Sequence, residues 1–131
     1  MFIDASAIIA IIANENDGND LLATLDRAPE CFTSPVAVYE ASLGLARVLY
    51  LSIADAEQLV ADLIKIKRTE IVPIRSETCI IALDAFFRFG KGRHPAKLNM
   101  GDCFAYACAK ELGVPLLFKG DDFARTDIEV A

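Results

Sequence analysis

Short apolar clusters alternate with longer amphipathic segments along the whole chain. Phe2 and Ile3 lead into Asp4, Ala5 and Ser6 turn the chain, and Ala7 to Ala13 reads as an apolar helix. A polar, glycine-containing break from Asn14 to Asn19 precedes a second helical face at Leu21, Leu22 and Leu25, which ends at Pro29. Cys31, Phe32 and Thr33 predict a second strand. Ser34 followed by Pro35 is a cap with proline in the first turn, and it predicts a helix to about Leu49. Ser52 with Asp55 opens the next helix, whose stripe of Leu59, Val60, Leu63, Ile64 and Ile66 runs to about Lys67.

Ile71, Val72 and Ile74 predict a third strand. Ser76 to Phe89 is helical, with Ile80, Leu83, Phe86 and Phe87 on one side, and Gly90 ends it. Asn99 and Asp102 stand three apart at the head of an alanine-rich run. The run Asp102 to Leu112 is apolar on nearly every side until Lys110 and Glu111, so this helix is expected to be buried. Gly113 stops it, Leu116 to Phe118 form a fourth strand, and Asp127 to Val130 is expected to add a short edge. Short strands alternating with helices predict an α/β fold. It is a three-layer α/β/α domain around a parallel sheet of four or five short strands, with residues 1–131 forming one domain.

Composition narrows the class. Hydrophobic residues make up 54% of the chain, which excludes a disordered polymer. No apolar run approaches the ~20 residues needed to span a bilayer. No basic region precedes the first apolar segment, so no signal peptide is expected. Cys31, Cys79, Cys103 and Cys108 lie in apolar segments without CxxC spacing. They read as reduced core residues of a cytoplasmic protein rather than as disulfide or zinc positions.

The acids carry the chemistry. In an open parallel sheet, ligands bind beyond the carboxyl ends of the strands. Asp4 stands at that end of the first strand, and Asp121 and Asp122 at that end of the fourth. Glu40 follows the second strand by about 8 Å of helical rise, and Asp102 opens a helix at the same edge. Each acid alone has a local explanation: Asp4 and Asp102 as helix caps, Glu40 as a surface residue, Asp122 as a turn former. Together in one crevice they repel one another unless a cation lies among them. Oxygen-only ligands select a hard ion, Mg²⁺ or Mn²⁺, which suits phosphate-ester chemistry.

With these acids placed, the chain resembles the PIN-domain ribonucleases, specifically the VapC-type toxins of bacterial toxin–antitoxin pairs. The likeness spans the whole chain, through MFIDASAII, SPVAVYE, LNMGDCFAYACAKE and PLLFKGDDF. It implies cleavage of single-stranded or loop RNA by water at an acidic Mg²⁺ or Mn²⁺ site. Asp4 and Asp102 match the family's principal metal-binding acids, and Glu40 the glutamate that positions metal and water. Ser6 matches the hydroxyl residue that orients the first aspartate. Asp122, before Phe123, matches the last acid, with Asp121 as a substitute because the expected earlier acid is Gly120. The resemblance further implies a homodimer and a cognate antitoxin that blocks the acidic crevice. The helices Val36–Tyr50 and Ile53–Lys67 carry candidate faces for the dimer.

A net charge of −6 argues against RNA binding over the whole surface but leaves room for a local basic site. Arg88, Lys91, Arg93, His94 and Lys97 crowd into a stretch without a single acid, beside Asn99 and Asp102. These cations, His94 apart, and Lys119 beside the last acids are the expected phosphate contacts; as a solvated loop the stretch would have no such role. Competing readings fail at particular positions. A haloacid-dehalogenase-like phosphohydrolase has a second aspartate where this chain has Ser6, and a receiver domain ends a middle strand in aspartate where Ile74 is followed by Arg75. A non-catalytic PIN-like binding module would be expected to have lost carboxylates that this chain keeps.

Overall fold

The computed structural model describes residues 1–131. Four two-residue strands form one parallel sheet: β1 (Phe2–Ile3), β2 (Phe32–Thr33), β3 (Glu70–Ile71) and β4 (Leu116–Leu117), in the order β3-β2-β1-β4. Sheet order reverses at β1, so the crevice predicted by the switch-point rule opens beside Asp4. Six α-helices cover the sheet: α1 (Ala5–Ile12), α2 (Gly18–Arg27), α3 (Pro35–Val48), α4 (Ile53–Ile66), α5 (Ser76–Phe89) and α6 (Met100–Leu112).

Strand side chains alternate between two cores. Phe2 and Leu116 point into one built with Ala82, Ala85 and Phe89 of α5 and Cys103, Ala105 and Tyr106 of α6. Ile3 and Leu117 point into the other, with Ile8, Leu25, Leu45 and Val60 of α1 to α4. The sheet is therefore clothed on both faces, as the alternation predicted. The carboxyl-terminal tail adds a single parallel bridge, Val130 to Leu116, at the outer edge of β4.

Local chemistry explains the helix starts. Ser34 Oγ accepts from the Ala37 amide at 3.2 Å, with Pro35 in the first turn of α3. Ser52 Oγ does the same for Asp55 at 3.1 Å. Asn99 and Asp102 form a reciprocal box, each side chain accepting from the other's amide at 3.0 and 2.8 Å. Gly113 ends α6 in the left-handed conformation, φ 65°.

Some elements differ from the pattern reading. Helix α1 begins at Ala5 rather than Ala7, because Asp4 caps it directly. Strand β3 is Glu70–Ile71, one residue early: the Glu70 amide donates to Cys31 O at 2.8 Å and the Val72 amide to Thr33 O at 2.8 Å. Pairing to β2, rather than β-branching, sets that register. Helix α5 turns over. Its small face of Thr78, Ala82 and Ala85 is buried, while Ile80, Leu83 and Phe87 are 65–70% exposed. Close packing against α6 explains this, since small residues let two helices approach. Cys79 is exposed, unlike the other three cysteines.

Candidate active site

Three acids from three separate elements share one open cleft of about 600 Å³. Its lining includes Asp4, Ser6, Glu40, Asn99 and Asp102, together with Ile9, Tyr39, Leu43 and Arg47.

Asp4 is 3% exposed and caps α1. Both of its hydrogen bonds fall on Oδ2, one from the Ser6 amide at 2.9 Å and one from the Ser6 hydroxyl. Ser6 Oγ in turn accepts from the Lys119 amide at 3.0 Å, tying the loop after β4 to the first acid. Ser6 thus holds the Asp4 carboxylate. Burial raises the Asp4 pKa, and the bonds from Ser6 only partly offset it.

Asp102 shows the same division of labour. Its Oδ2 accepts from the Asn99 amide at 2.8 Å, and Oδ1 takes no hydrogen bond. Desolvation, opposed by the Asn99 bond and reinforced by Asp4 and Asp122, pushes its pKa up to about 6. Glu40 accepts no hydrogen bond, and desolvation followed by the charges of Asp4 and Asp102 raises it to about 7. The three acids therefore feel one another.

Gly101 makes room for this arrangement. A Cβ at that position would lie 2.0 and 2.1 Å from the two carboxylate oxygens of Glu40. The bare first turn of α6 thus lets α3 bring its glutamate against the helix N-terminus, where a negative charge is stabilised.

The remaining predicted residues fall outside the cleft. Asp121 and Asp122 are exposed and do not line it. Of the two, Asp122 is the one whose charge reaches Asp102. In the same loop the Lys119 side chain pairs with Glu15 and, at 3.2 Å, with Asp17. Arg88 is likewise committed. It donates to Asp127 at 2.8 Å and stands 3.4 Å from both Asp84 and the Tyr106 hydroxyl. Both cations thus already have carboxylate partners. Lys91, Arg93 and Lys97 are exposed and form no ion pair with a carboxylate, on a loop closed by the bridge between Gly90 and Leu98.

Gly101, Tyr39 and Arg47 escape a reading of the sequence alone. A glycine inside the first turn of an otherwise strong helix is the signal for the first. Arg47 is seven residues from Glu40, and so on the same face of α3.

No three side chains of His, Cys, Asp or Glu form a preformed metal cage. The donor set nevertheless fits a hydrated Mg²⁺ or Mn²⁺, which takes one or two carboxylates and keeps its waters. Asp4 and Asp102 each commit one oxygen to the fold and leave the other without a hydrogen bond. The raised acids of the cleft are the counterpart that a cation would relieve.

The PIN domain family model matches residues 1–129. A VapC ribonuclease from Rhizobium meliloti is 40% identical, over 97% of this chain and 98% of its own length. A VapC ribonuclease from Mycobacterium tuberculosis is 34% identical, over 100% of this chain and 98% of its own. Among solved structures, a sarcin–ricin-loop-cleaving VapC toxin from Mycobacterium tuberculosis superposes with a TM-score of 0.78 at 16% identity, covering 99% of this chain and 97% of that one. A toxin–antitoxin complex from Klebsiella pneumoniae gives 0.71 at 17%, covering 99% and 95%. The PIN domain model over residues 1–129, with relatives 34–40% identical from end to end, makes the chain a member of the PIN domain family, in its VapC group.

Proposed function

We propose that the chain is the ribonuclease toxin of a toxin–antitoxin pair, an endoribonuclease that uses Mg²⁺ or Mn²⁺ and water to hydrolyse RNA phosphodiester bonds. The observation that carries this reading is the convergence of Asp4, Glu40 and Asp102 from three elements into one open cleft, with all three pKa values raised by burial and those of Glu40 and Asp102 also by neighbouring acids. Asp4 and Asp102 would hold the ion through the oxygens that Ser6 and Asn99 leave free, with Glu40 in the same cleft. The chemistry such an ion would supply is polarisation of the phosphoryl oxygen and neutralisation of the charge developing on it. Glu40, which accepts no hydrogen bond from the fold, is the carboxylate left to take the proton of the attacking water. Ser6 and Asn99 fix the two aspartates.

Lys91, Arg93 and Lys97 act as outer phosphate contacts in this reading, beside the start of α6. A basic side chain from an antitoxin would pair with the same acids and displace the ion, which makes the cleft the natural point of inhibition. The protein works in the cytoplasm, where its RNA is, and no helix is long and apolar enough to cross a membrane. Two copies associate through apolar surface. Tyr50 and Ile53 are exposed at the α3–α4 corner, and Ile80, Leu83, Phe87 and Met100 along α5 and α6.

The test is cleavage of a mixed, structured RNA pool by purified protein with Mg²⁺ or Mn²⁺, beside Asp4→Asn and Asp102→Asn. Cleavage that needs the metal and disappears in both folded variants is the expected result. Cleavage that survives in the variants places the chemistry elsewhere.

A further inference from the structure

Arg47 is the only cation that lines the acidic cleft. It makes no ion pair, its guanidinium donates no hydrogen bond, and its side chain is exposed. Arg88 in the same protein is consumed by Asp127 and Asp84, and Lys119 by Glu15 and Asp17. Those cations already have carboxylate partners, whereas Arg47 is left at a cleft with a surplus of negative charge. On α3 it stands two turns beyond Glu40, about 10 Å along the axis. Tyr39, 65% exposed, stands at the opposite end of the same face, and Leu43 and Ile9 line the wall between them.

We propose that this face of α3 seats the RNA strand: Arg47 binds a phosphate next to the one being cleaved, and Tyr39 stacks a base. This rests on the ribonuclease reading and adds to it the track the substrate follows. A cleft lined by three carboxylates repels the phosphates on either side of the scissile one. The bound ion neutralises only the reacting group, so a neighbouring phosphate needs its own cation. Arginine supplies a planar fork matched to two phosphate oxygens. An exposed tyrosine beside Glu40 offers a flat face to any unpaired base, as single-strand binding sites do. The basic loop cannot replace Arg47, because none of its residues lines the cleft.

The experiment compares wild type with Arg47→Ala, Arg47→Lys and Tyr39→Ala. It follows cleavage of the RNA pool and binding of a labelled mixed-sequence single-stranded oligoribonucleotide. Binding is measured on an Asp102→Asn background so that nothing is cut, and Mn²⁺-dependent thermal stabilisation of each single variant is recorded in parallel. Arg47→Ala is expected to raise KM about tenfold with kcat changed less than about twofold. It should flatten the salt dependence of binding by about one phosphate's worth, ~0.7 in log–log slope. Arg47→Lys should recover part of the loss, and the Mn²⁺ stabilisation should match wild type. Unchanged KM and salt slope in Arg47→Ala would overturn the proposal, even if the ribonuclease reading stands. No binding or cleavage by the wild type would instead bring down the ribonuclease reading, and this proposal with it.

Discussion

Replacing Gly101 by alanine adds one methyl group to the first turn of α6, directly against Glu40. The new Cβ would lie 2.0 Å from Oε2, whereas ordinary contact begins at 3.4 Å, so the carboxylate must retreat by about 1.4 Å. The atoms it meets are the far end of a flexible side chain with no hydrogen bond to lose. The glutamate should therefore swing away rather than push the helices apart. Alanine also favours the helix by about 1 kcal/mol over glycine. The expected stability change is within about 1 kcal/mol of zero, measured by urea unfolding. Catalysis is far less tolerant, since a misplacement of about 1 Å can cost on the order of 100-fold in rate. Gly101→Ala should be a folded protein with Mn²⁺-dependent RNA cleavage reduced about 100-fold, comparable to Glu40→Gln. Wild-type cleavage by the folded variant would refute the role of Glu40. A loss of more than about 3 kcal/mol would refute the claim that the carboxylate can yield.

Other consequences concern charge and the tail. Without metal, Glu40 and Asp102 titrate near 7 and 6, above their ordinary 4.5 and 3.8. The folded state therefore holds extra protons between those limits. Stability is highest below about pH 4 as far as these groups are concerned, and falls as pH rises to 7. Saturating Mn²⁺ should abolish that decline in a melting series; a metal-free protein whose Tm rises steadily from pH 4 to 7 in step with Glu40→Gln would contradict it. Asp127 clasps the tail to α5 and α6, accepting from the Tyr106 hydroxyl at 2.6 Å and from Arg88 at 2.8 Å. The bond from Tyr106 and then that from Arg88 hold its pKa down to about 2, so this contribution is present above pH 4 and lost as pH falls through 2. Asp127→Ala strands the buried Tyr106 hydroxyl and should cost about 1–3 kcal/mol in denaturant unfolding, without affecting metal binding. A thiol reagent should label Cys79 at once and Cys31, Cys103 and Cys108 only on unfolding, because Cys79 alone is exposed; rapid labelling of more than one thiol in the native protein would count against the packing described.

What the sequence discloses is what neighbouring residues decide together. Ser34 with Pro35, and Asn99 with Asp102, start helices through contacts within one turn, and both are visible in the chain. Asp4 and Glu40 are visible because each follows a strand by a fixed distance. What escapes is decided between distant segments. Arg88 looks free in sequence, yet its partner Asp127 is 39 residues away. The apolar stripe of α5 faces outward because α6 packs on the alanines opposite, a choice that periodicity cannot make. The start of β3 is set by hydrogen bonds to β2. Gly101 and Arg47 matter only because α3 and α6 meet, and no local pattern announces that meeting.

The most direct test of the central claim is anomalous diffraction from crystals of the protein equilibrated with Mn²⁺. The account predicts a peak within coordination distance, about 2.0–2.3 Å, of one carboxylate oxygen each from Asp4 and Asp102, with Glu40 adjacent, and no such peak in Asp102→Asn. Saturating Mn²⁺ that leaves the cleft empty, or that binds away from these two aspartates, would contradict it.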